Sequence, residues 1–224
     1  MTARSQIKET PWDARALGID TYEITTLTDE VMAEVQKLPG HFTVRVDPLS
    51  SKKILHNNGF YYSDTLIEPF CSHGRFIAHD HPATGVTCSV GETELAAMAH
   101  GGFQHGRFHR DFQVKRELAD LRYDLWLKQL FAAGDVLGLT YEGELAGFFG
   151  LEQSKIALLA VGGRFRDRGL AKFLWSAGCA DLFRAGHAEI TSSISASNVA
   201  ALNVFAALGF SFRNPLDIYH RLNG

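Results

Sequence analysis

The spacing of apolar and polar side chains changes several times along the chain, and each change marks an element. Residues 21–27 and 41–46 alternate as half-buried strands do. Between them, Thr28 and Asp29 stand where a helix N-cap belongs. The helix they open runs to Leu38, before Pro39 and Gly40. A short helix over 48–58 is ended by Gly59, and 60–70 hold a third strand. Residues 74–85, with Pro82 and the His79-Asp80-His81 group, read as a linker. A strand pattern resumes over 86–90, and 92–99 are helical, with Glu92 and Glu94 in the first turn as the helix dipole prefers. A Gly-, His- and Arg-rich loop over 100–111 precedes an amphipathic helix, 115–131, with Leu118, Leu121, Leu125 and Trp126 near one face. Three strands follow, 136–141, 145–151 and 156–161. Their connections are short enough for hairpins, which predicts an antiparallel meander. A helix over 169–184, a strand over 189–195, a helix over 198–208 with Ser197 as N-cap, and one or two strands around Pro215 complete the chain.

This pattern predicts a small α/β segment over 1–80 and a larger α+β domain over 81–224. An echo links them. A strand, a helix, a Gly-Phe pair and another strand occur around Gly59-Phe60 and again around Gly209-Phe210, so the N-terminal segment reads as a reduced copy of the C-terminal half. The composition, 46% hydrophobic and 21% charged over 224 residues, is that of a globular protein. A net charge of -3 argues against general nucleic-acid binding, and no apolar run has the length of a membrane span. The first twelve residues lack the apolar core of a signal peptide. Three widely spaced cysteines fit a reducing, cytoplasmic setting.

The stretch 158–171 concentrates the chemistry. Residues 158–161 are apolar at every position, as in a strand covered on both faces. Arg164, Arg166 and Arg168 follow at alternate positions, then Gly169 and a helix start. Unpaired N–H groups and a dipole at that start make a site for an anion, although a plain connection with solvated arginines has the same pattern.

Two motifs give this stretch a family likeness. Arg166-Asp167-Arg168-Gly169-Leu170-Ala171 directly follows an apolar strand. Asn198, Ala201, Phe205, Gly209 and Phe210 are spaced as in a later family helix. In both, and in the element order from Val86 onward, the chain resembles the GNAT superfamily of acyl-CoA N-acyltransferases. The resemblance implies a GNAT fold with a central mixed, mostly antiparallel sheet, splayed apart beyond the strand that ends at Val161. It implies acetyl-CoA as acyl donor and no metal. Leu159, Ala160 and Val161 would pair with the pantetheine arm. Arg166, Asp167, Arg168, Gly169, Leu170 and Ala171 would hold the pyrophosphate, with Asn198 and Phe205 beside the arm. A narrower likeness, carried by Trp12-Asp13, Gly18, Asp64-Thr65-Leu66 and Arg107-Phe108-His109, is to the two-part dTDP-fucosamine acetyltransferase type. It implies an amino sugar or nucleotide-activated amino sugar as acceptor.

One position departs from the family pattern. Many members carry a tyrosine that protonates the leaving thiolate where this chain has Phe205. Three alternatives stand: another acid (Tyr219 or Tyr141), unassisted departure of an acidic thiol, or binding of acyl-CoA without efficient catalysis. Glu152, His109, His105 and His220 are candidate bases, each with a plain surface role as the alternative. Arg107, His109 and Arg110 are candidate acceptor-binding residues. The histidines between His73 and His109 match no zinc spacing. Acceptors other than sugars, such as amino acids or antibiotic and natural-product amines, stay open, as does a scaffold role. The expected partner is a small-molecule amine, not nucleic acid or membrane, and the apolar N-terminal segment leaves room for a homodimer.

Overall fold

The structure, a computed structural model, describes residues 2–224. Its elements are β1 (Ile7–Glu9), α1 (Pro11–Leu17), β2 (Thr21–Ile24), α2 (Asp29–Val35), β3 (Gly40–Val46), α3 (Lys53–Asn57), β4 (Tyr61–Ser72), β5 (Thr84–Thr87), α4 (Glu92–Ala99), α5 (Arg116–Ala133), β6 (Val136–Tyr141), β7 (Glu144–Glu152), β8 (Lys155–Val161), α6 (Ala171–Arg184), β9 (Glu189–Ser192), β10 (Ile194–Ser195), α7 (Val199–Ala207) and β11 (Ser211–Asn223). The pairing is mixed and mostly antiparallel, with β2–β3 and β8–β9 parallel. The chain forms two compact units that interleave in sequence, where the sequence reading placed one boundary at residue 80. The first comprises residues up to Leu66, His105–Arg122 and Pro215–Gly224. The second comprises Ile67–Gln104 and Tyr123–Asn214.

In the first unit β3 has a neighbour on each edge. It runs parallel to β2 from Thr21↔His41 to Ile24↔Val44 and antiparallel to β11 from Asp217↔Val46 to Asn223↔Gly40. A strand so enclosed is buried at every position except Arg45, and Phe42 and Val44 join Val35 and Leu55 in the core. α2 starts on a capped turn, with the Thr28 hydroxyl accepting a hydrogen bond from the Val31 N–H at 3.3 Å.

In the second unit β6 to β8 form the expected meander, β5 pairs antiparallel with β6, and β9 joins the β8 edge. The adjacent Phe148 and Phe149 of β7 enter different cores, as strand alternation requires. Phe148 packs with Leu95, Leu127, Leu130 and Leu158 of α4, α5 and β8. Phe149 packs with Leu174, Trp175, Cys179 and Phe205 of α6 and α7. Gly178 permits that second packing, because a Cβ there would lie 2.5 Å from the Phe149 ring. Among the described residues no helix is long and apolar enough to cross a membrane.

Several boundaries and faces differ from the sequence reading. The helix expected over 48–58 begins only at Lys53, because the Asp47 carboxylate accepts from the Leu49 N–H and sets a turn instead. In α5, Leu121 and Leu125 are exposed and Ala119, Leu127 and Leu130 are buried. The helix serves two cores in succession, so no single stripe describes it. The cap of α7 is Asn198, whose Oδ1 accepts from the Ala201 N–H at 3.1 Å; the Ser197 hydroxyl lies 2.8 Å from the Ser195 hydroxyl. The last segment is one strand, β11, that passes through Pro215. Short elements before Thr21, β1 and α1, were not anticipated.

Candidate functional site

The second unit contains a fork in its sheet. β8 pairs with β7 almost to its end, through Val161↔Gly147. Its parallel pairing with β9 covers only Lys155↔Thr191 and Ile156↔Ser192. The Ser192 hydroxyl closes the fork by donating to the Ile156 carbonyl at 2.8 Å. The register of β7 and β8 slips at this level, leaving Ala157 as an extra residue opposite Gly150 and Leu151. Such a bulge turns the strand away from its neighbour. Residues 157–161 therefore have no strand partner on the β9 side, a free edge about 16 Å long at the usual rise per residue. The strand is covered on both faces, as its apolar run had predicted, but less completely on one of them. Ile156, Leu158 and Ala160 are buried while Ala157, Leu159 and Val161 are half-buried, and the second set faces away from α4 and α5.

Beyond the free edge the chain makes a 3-10 turn over Gly163–Phe165 and enters α6. Asp167 and Gly169 have φ of 57° and 71°. Gly169 in the left-handed region followed by Leu170 in the right-handed helical region aims successive N–H groups at one point, a concavity that binds anions. Leu170 offers no side-chain cap. Among the described residues the N–H groups of 167–172 find no acceptor, although Phe173 and Leu174 already bond to the Leu170 carbonyl. Positive side chains flank these donors. Arg164 pairs with Glu144 at 2.5 Å, and the Arg168 guanidinium lies 5.5 Å from the centre of the Tyr141 ring. Arg166 folds back, its Nε donating to the Val161 carbonyl at 2.8 Å.

A free strand edge beside a cluster of unsatisfied N–H groups fits the acyl-CoA implied by the sequence. Amide groups of a pantetheine arm would complete the edge, and the pyrophosphate would take the N–H groups of 167–172. Leu159, Ala160, Val161, Arg166, Asp167, Arg168, Gly169, Leu170 and Ala171 are brought together there. Asn198 uses its Oδ1 to cap α7. Phe205 is fully enclosed, its ring 5.1 Å from Trp175 and 4.9 Å from Phe210.

The remaining candidates lie elsewhere. Glu152 sits at the hairpin end of β7, paired with Lys155 at 3.3 Å and open to solvent. Arg107, His109, Arg110 and Tyr219 belong to the first unit. There Arg107 is buried against Asp13 at 3.0 Å, with Arg122 on the other carboxylate oxygen at 2.6 Å. His109 lies 2.9 Å from Asp120 with its side chain enclosed. Arg110 donates to the Ser63 carbonyl at 3.0 Å. Tyr219 is buried in the core, and that burial raises its hydroxyl pKa.

The sequence reading did not single out a buried cluster in the same unit. His41 Nε2 and His220 Nδ1 lie 2.9 and 2.7 Å from Asp111 Oδ2, and the Tyr61 hydroxyl donates to Oδ1 at 2.8 Å. Burial alone would raise the Asp111 pKa. The hydrogen bonds from the two histidines prevail and hold it below the usual carboxylate range. Burial depresses His220 to about 3. The three residues could ligate a metal by type, but their donor atoms already meet as hydrogen-bond partners. Only His41, Tyr61 and His220 being brought to Asp111 by β3, β4 and β11 reveals the cluster, and no sequence spacing records that.

Comparison with known proteins follows this geometry. The acetyltransferase (GNAT) family model matches residues 104–210. No curated protein matches the chain. A GCN5-related N-acetyltransferase from Sphaerobacter thermophilus is 13% identical with a TM-score of 0.60, over 87% of this chain and 64% of its own. The chain thus spans less than two thirds of that protein's length. A GCN5-related N-acetyltransferase from Kribbella flavida is 14% identical (TM-score 0.56, covering 92% of this chain and 82% of that one). A tandem GNAT protein from the clavulanic acid biosynthesis pathway is 12% identical (TM-score 0.56, 91% and 75%). At such identities the likeness is one of fold.

Proposed function

Starting from the GNAT acetyltransferase superfamily, which the family match and the shared fold both support, we propose that the chain transfers an acetyl group from acetyl-CoA to a primary amine of a small molecule. The acceptor class we favour is an amino sugar or nucleotide-activated amino sugar. The observation that carries the reading is the fork, with residues 157–161 unpaired on one edge and the N–H groups of 167–172 without acceptors beyond it.

In this reading the β8 edge aligns the donor, and the N–H of Ala160 or Val161 polarises the thioester carbonyl. The turn anchors the far end of the donor, so that attack by the amine becomes effectively unimolecular. Arg166 leaves the Val161 carbonyl for a phosphate oxygen. The amine is deprotonated by a carboxylate or histidine at the open side, for which Glu152 and His109 are the proposed residues, with Tyr219 the proposed acid. The pairings of His109 and the burial of Tyr219 favour Glu152 among these for direct access. Arg107 is held by Asp13, which leaves Arg110, about one third exposed, as the better placed of the two acceptor-binding arginines.

Release of free thiol from acetyl-CoA tests the proposal. It is measured against amino sugars, nucleotide sugars, amino acids, polyamines and natural-product amines. Turnover with an amino sugar supports the full reading, and turnover with another amine corrects the acceptor. A second reading, a non-catalytic acyl-CoA-binding protein, is favoured by Phe205, which has no proton to donate. Tight binding of acetyl-CoA with no thiol release from any acceptor supports that one instead.

A further inference from the structure

Trp175 poses a problem that the proposed reaction leaves unsolved. Trp175 is 5% exposed, and its indole N–H has no hydrogen-bond partner among the described residues. A buried indole N–H normally has one, since it can only donate and leaving it unmet is costly. The ring lies between β7 and α7. It lies 6.4 Å from Phe149, which stands opposite Leu159 of β8, and 5.1 Å from Phe205 of α7. Leu159 and Val161, from the free edge, pack against the same cluster. Trp175 is also the fifth residue of α6, about one turn inside the helix whose start carries the unsatisfied N–H groups.

We propose that the Trp175 indole N–H is the hydrogen-bond donor to the leaving sulfur of the acyl donor. This rests on the acyl-CoA reading of the fork. A donor anchored at 167–172 and running back along 157–161 brings its thioester into the region that Phe149, Trp175 and Phe205 enclose. The amine nitrogen bonds to the carbonyl carbon, and the carbon–sulfur bond breaks with its electron pair passing to sulfur. The thiolate accepts a hydrogen bond from the indole, which keeps its proton. The proposed base takes the proton lost by the nitrogen, and the hydrogen-bonded thiolate takes up a proton only after it has left, giving amide and thiol. Trp175 thus assists a departure that Phe205 cannot. The cluster around it is apolar. Its ionisable members are Cys71, Cys179 and the partly buried Tyr141, and burial pushes both thiols up; α7 carries no ionisable side chain.

The test needs no acceptor. CoA and desulfo-CoA are titrated calorimetrically into wild type, Trp175→Phe and Trp175→Tyr between pH 6 and pH 9.5. A donor facing the sulfur favours thiolate over thiol. Wild-type affinity for CoA should then rise about tenfold with pH, the factor one charge-assisted hydrogen bond carries. Affinity for desulfo-CoA should show only the change near pH ~6 that the shared phosphate monoester gives, with no further rise toward pH 9.5. Trp175→Phe should lose the rise for CoA and keep wild-type affinity for desulfo-CoA. A rise retained in Trp175→Phe overturns the proposal. So does a wild type that binds both ligands with the same pH profile, a result that stands even if the variants do not fold. Failure of wild type to bind either ligand overturns the acyl-CoA reading itself.

Discussion

Two stretches of this chain repeat one plan, strand, helix, parallel strand, helix, Gly-Phe, strand, and end differently. The first runs through β2, α2, β3, α3 and β4, and the second through β8, α6, β9, α7 and β11. Both close their last helix in the same way. The Phe60 N–H bonds to the Leu55 carbonyl and the Phe210 N–H to the Phe205 carbonyl, across Gly59 and Gly209, both in the left-handed region. The differences lie at the other end. All four residues of β2 pair with β3, and Thr28 caps α2 with its own side chain. β8 leaves β9 after two pairs, and α6 starts on Leu170 with no side-chain cap. The first stretch pairs its whole strand and caps its helix start with a side chain. The second leaves an edge and a set of N–H groups unmet, and unmet groups are what a ligand can complete. The comparison teaches that the site is defined by missing intramolecular bonds more than by particular side chains.

Substitutions at the shared caps give the largest expected effect. At Gly209 a Cβ would overlap the Arg75 carbonyl oxygen on top of the left-handed φ of 85°. Gly209→Ala should cost about 3 kcal/mol or more. At Gly59 the nearest atom is Arg221 Nη1 at 3.6 Å, so Gly59→Ala should cost only about 1 kcal/mol. Denaturant unfolding of both variants checks this, and equal losses would break the distinction between the two caps.

The next effect is on binding. Arg166→Glu places a like charge at the pyrophosphate and should weaken CoA binding about a hundredfold by calorimetry. Unchanged affinity would remove the phosphates from 166–171.

A matched pair sharpens the contrast at the helix starts. Thr28→Ala should lower stability by about 1 kcal/mol and leave CoA affinity alone. Gly169→Val should weaken CoA binding strongly, and the strain of a β-branched residue at φ 71° should also cost about 1–2 kcal/mol of stability. A Cβ at Gly169 meets nothing within 4 Å, so the strain of φ 71° is the only stability cost. The side chain would still keep the pyrophosphate from the N–H groups.

A further effect distinguishes the units by acid. His220 titrates near 3 in the folded chain and near 6.5 when unfolded, so in that interval the unfolded chain binds a proton that the folded chain does not. Its contribution is complete above about pH 6.5 and is lost as pH falls toward 3. Asp111, also depressed, adds a loss below about pH 4. Melting temperature followed from pH 7 to pH 4 should fall, and less steeply in His220→Gln.

Local chemistry made much of this legible in the sequence. α4 and β6 fall at the expected residues, because Gly91 and Gly134 bound runs of one period. The turn from Gly162 to Ala171 was legible because Arg166, Gly169 and Ala171 carry a motif spacing directly after an apolar strand, with a second motif at Asn198–Phe210; glycine and arginine alone fit a plain connection as well. The fork was not visible in the residues themselves. It depends on how far β8 and β9 stay in register, and that is set by the bulge at Ala157 and the Ser192 bond to Ile156, thirty-six residues apart. The Asp111 cluster was hidden for the same reason, joining residues 41, 61, 111 and 220. Asn198 shows how short-range signals compete. Ser197 and Asn198 are both good caps, and only the backbone shows which oxygen reaches the Ala201 N–H.

Backbone hydrogen exchange with and without CoA tests the central claim most directly. The account predicts protection on binding at the amides of 157–161 and 167–172, with the matching first-unit amides of 25–30 unchanged. CoA binding that leaves 157–161 and 167–172 unprotected would contradict it.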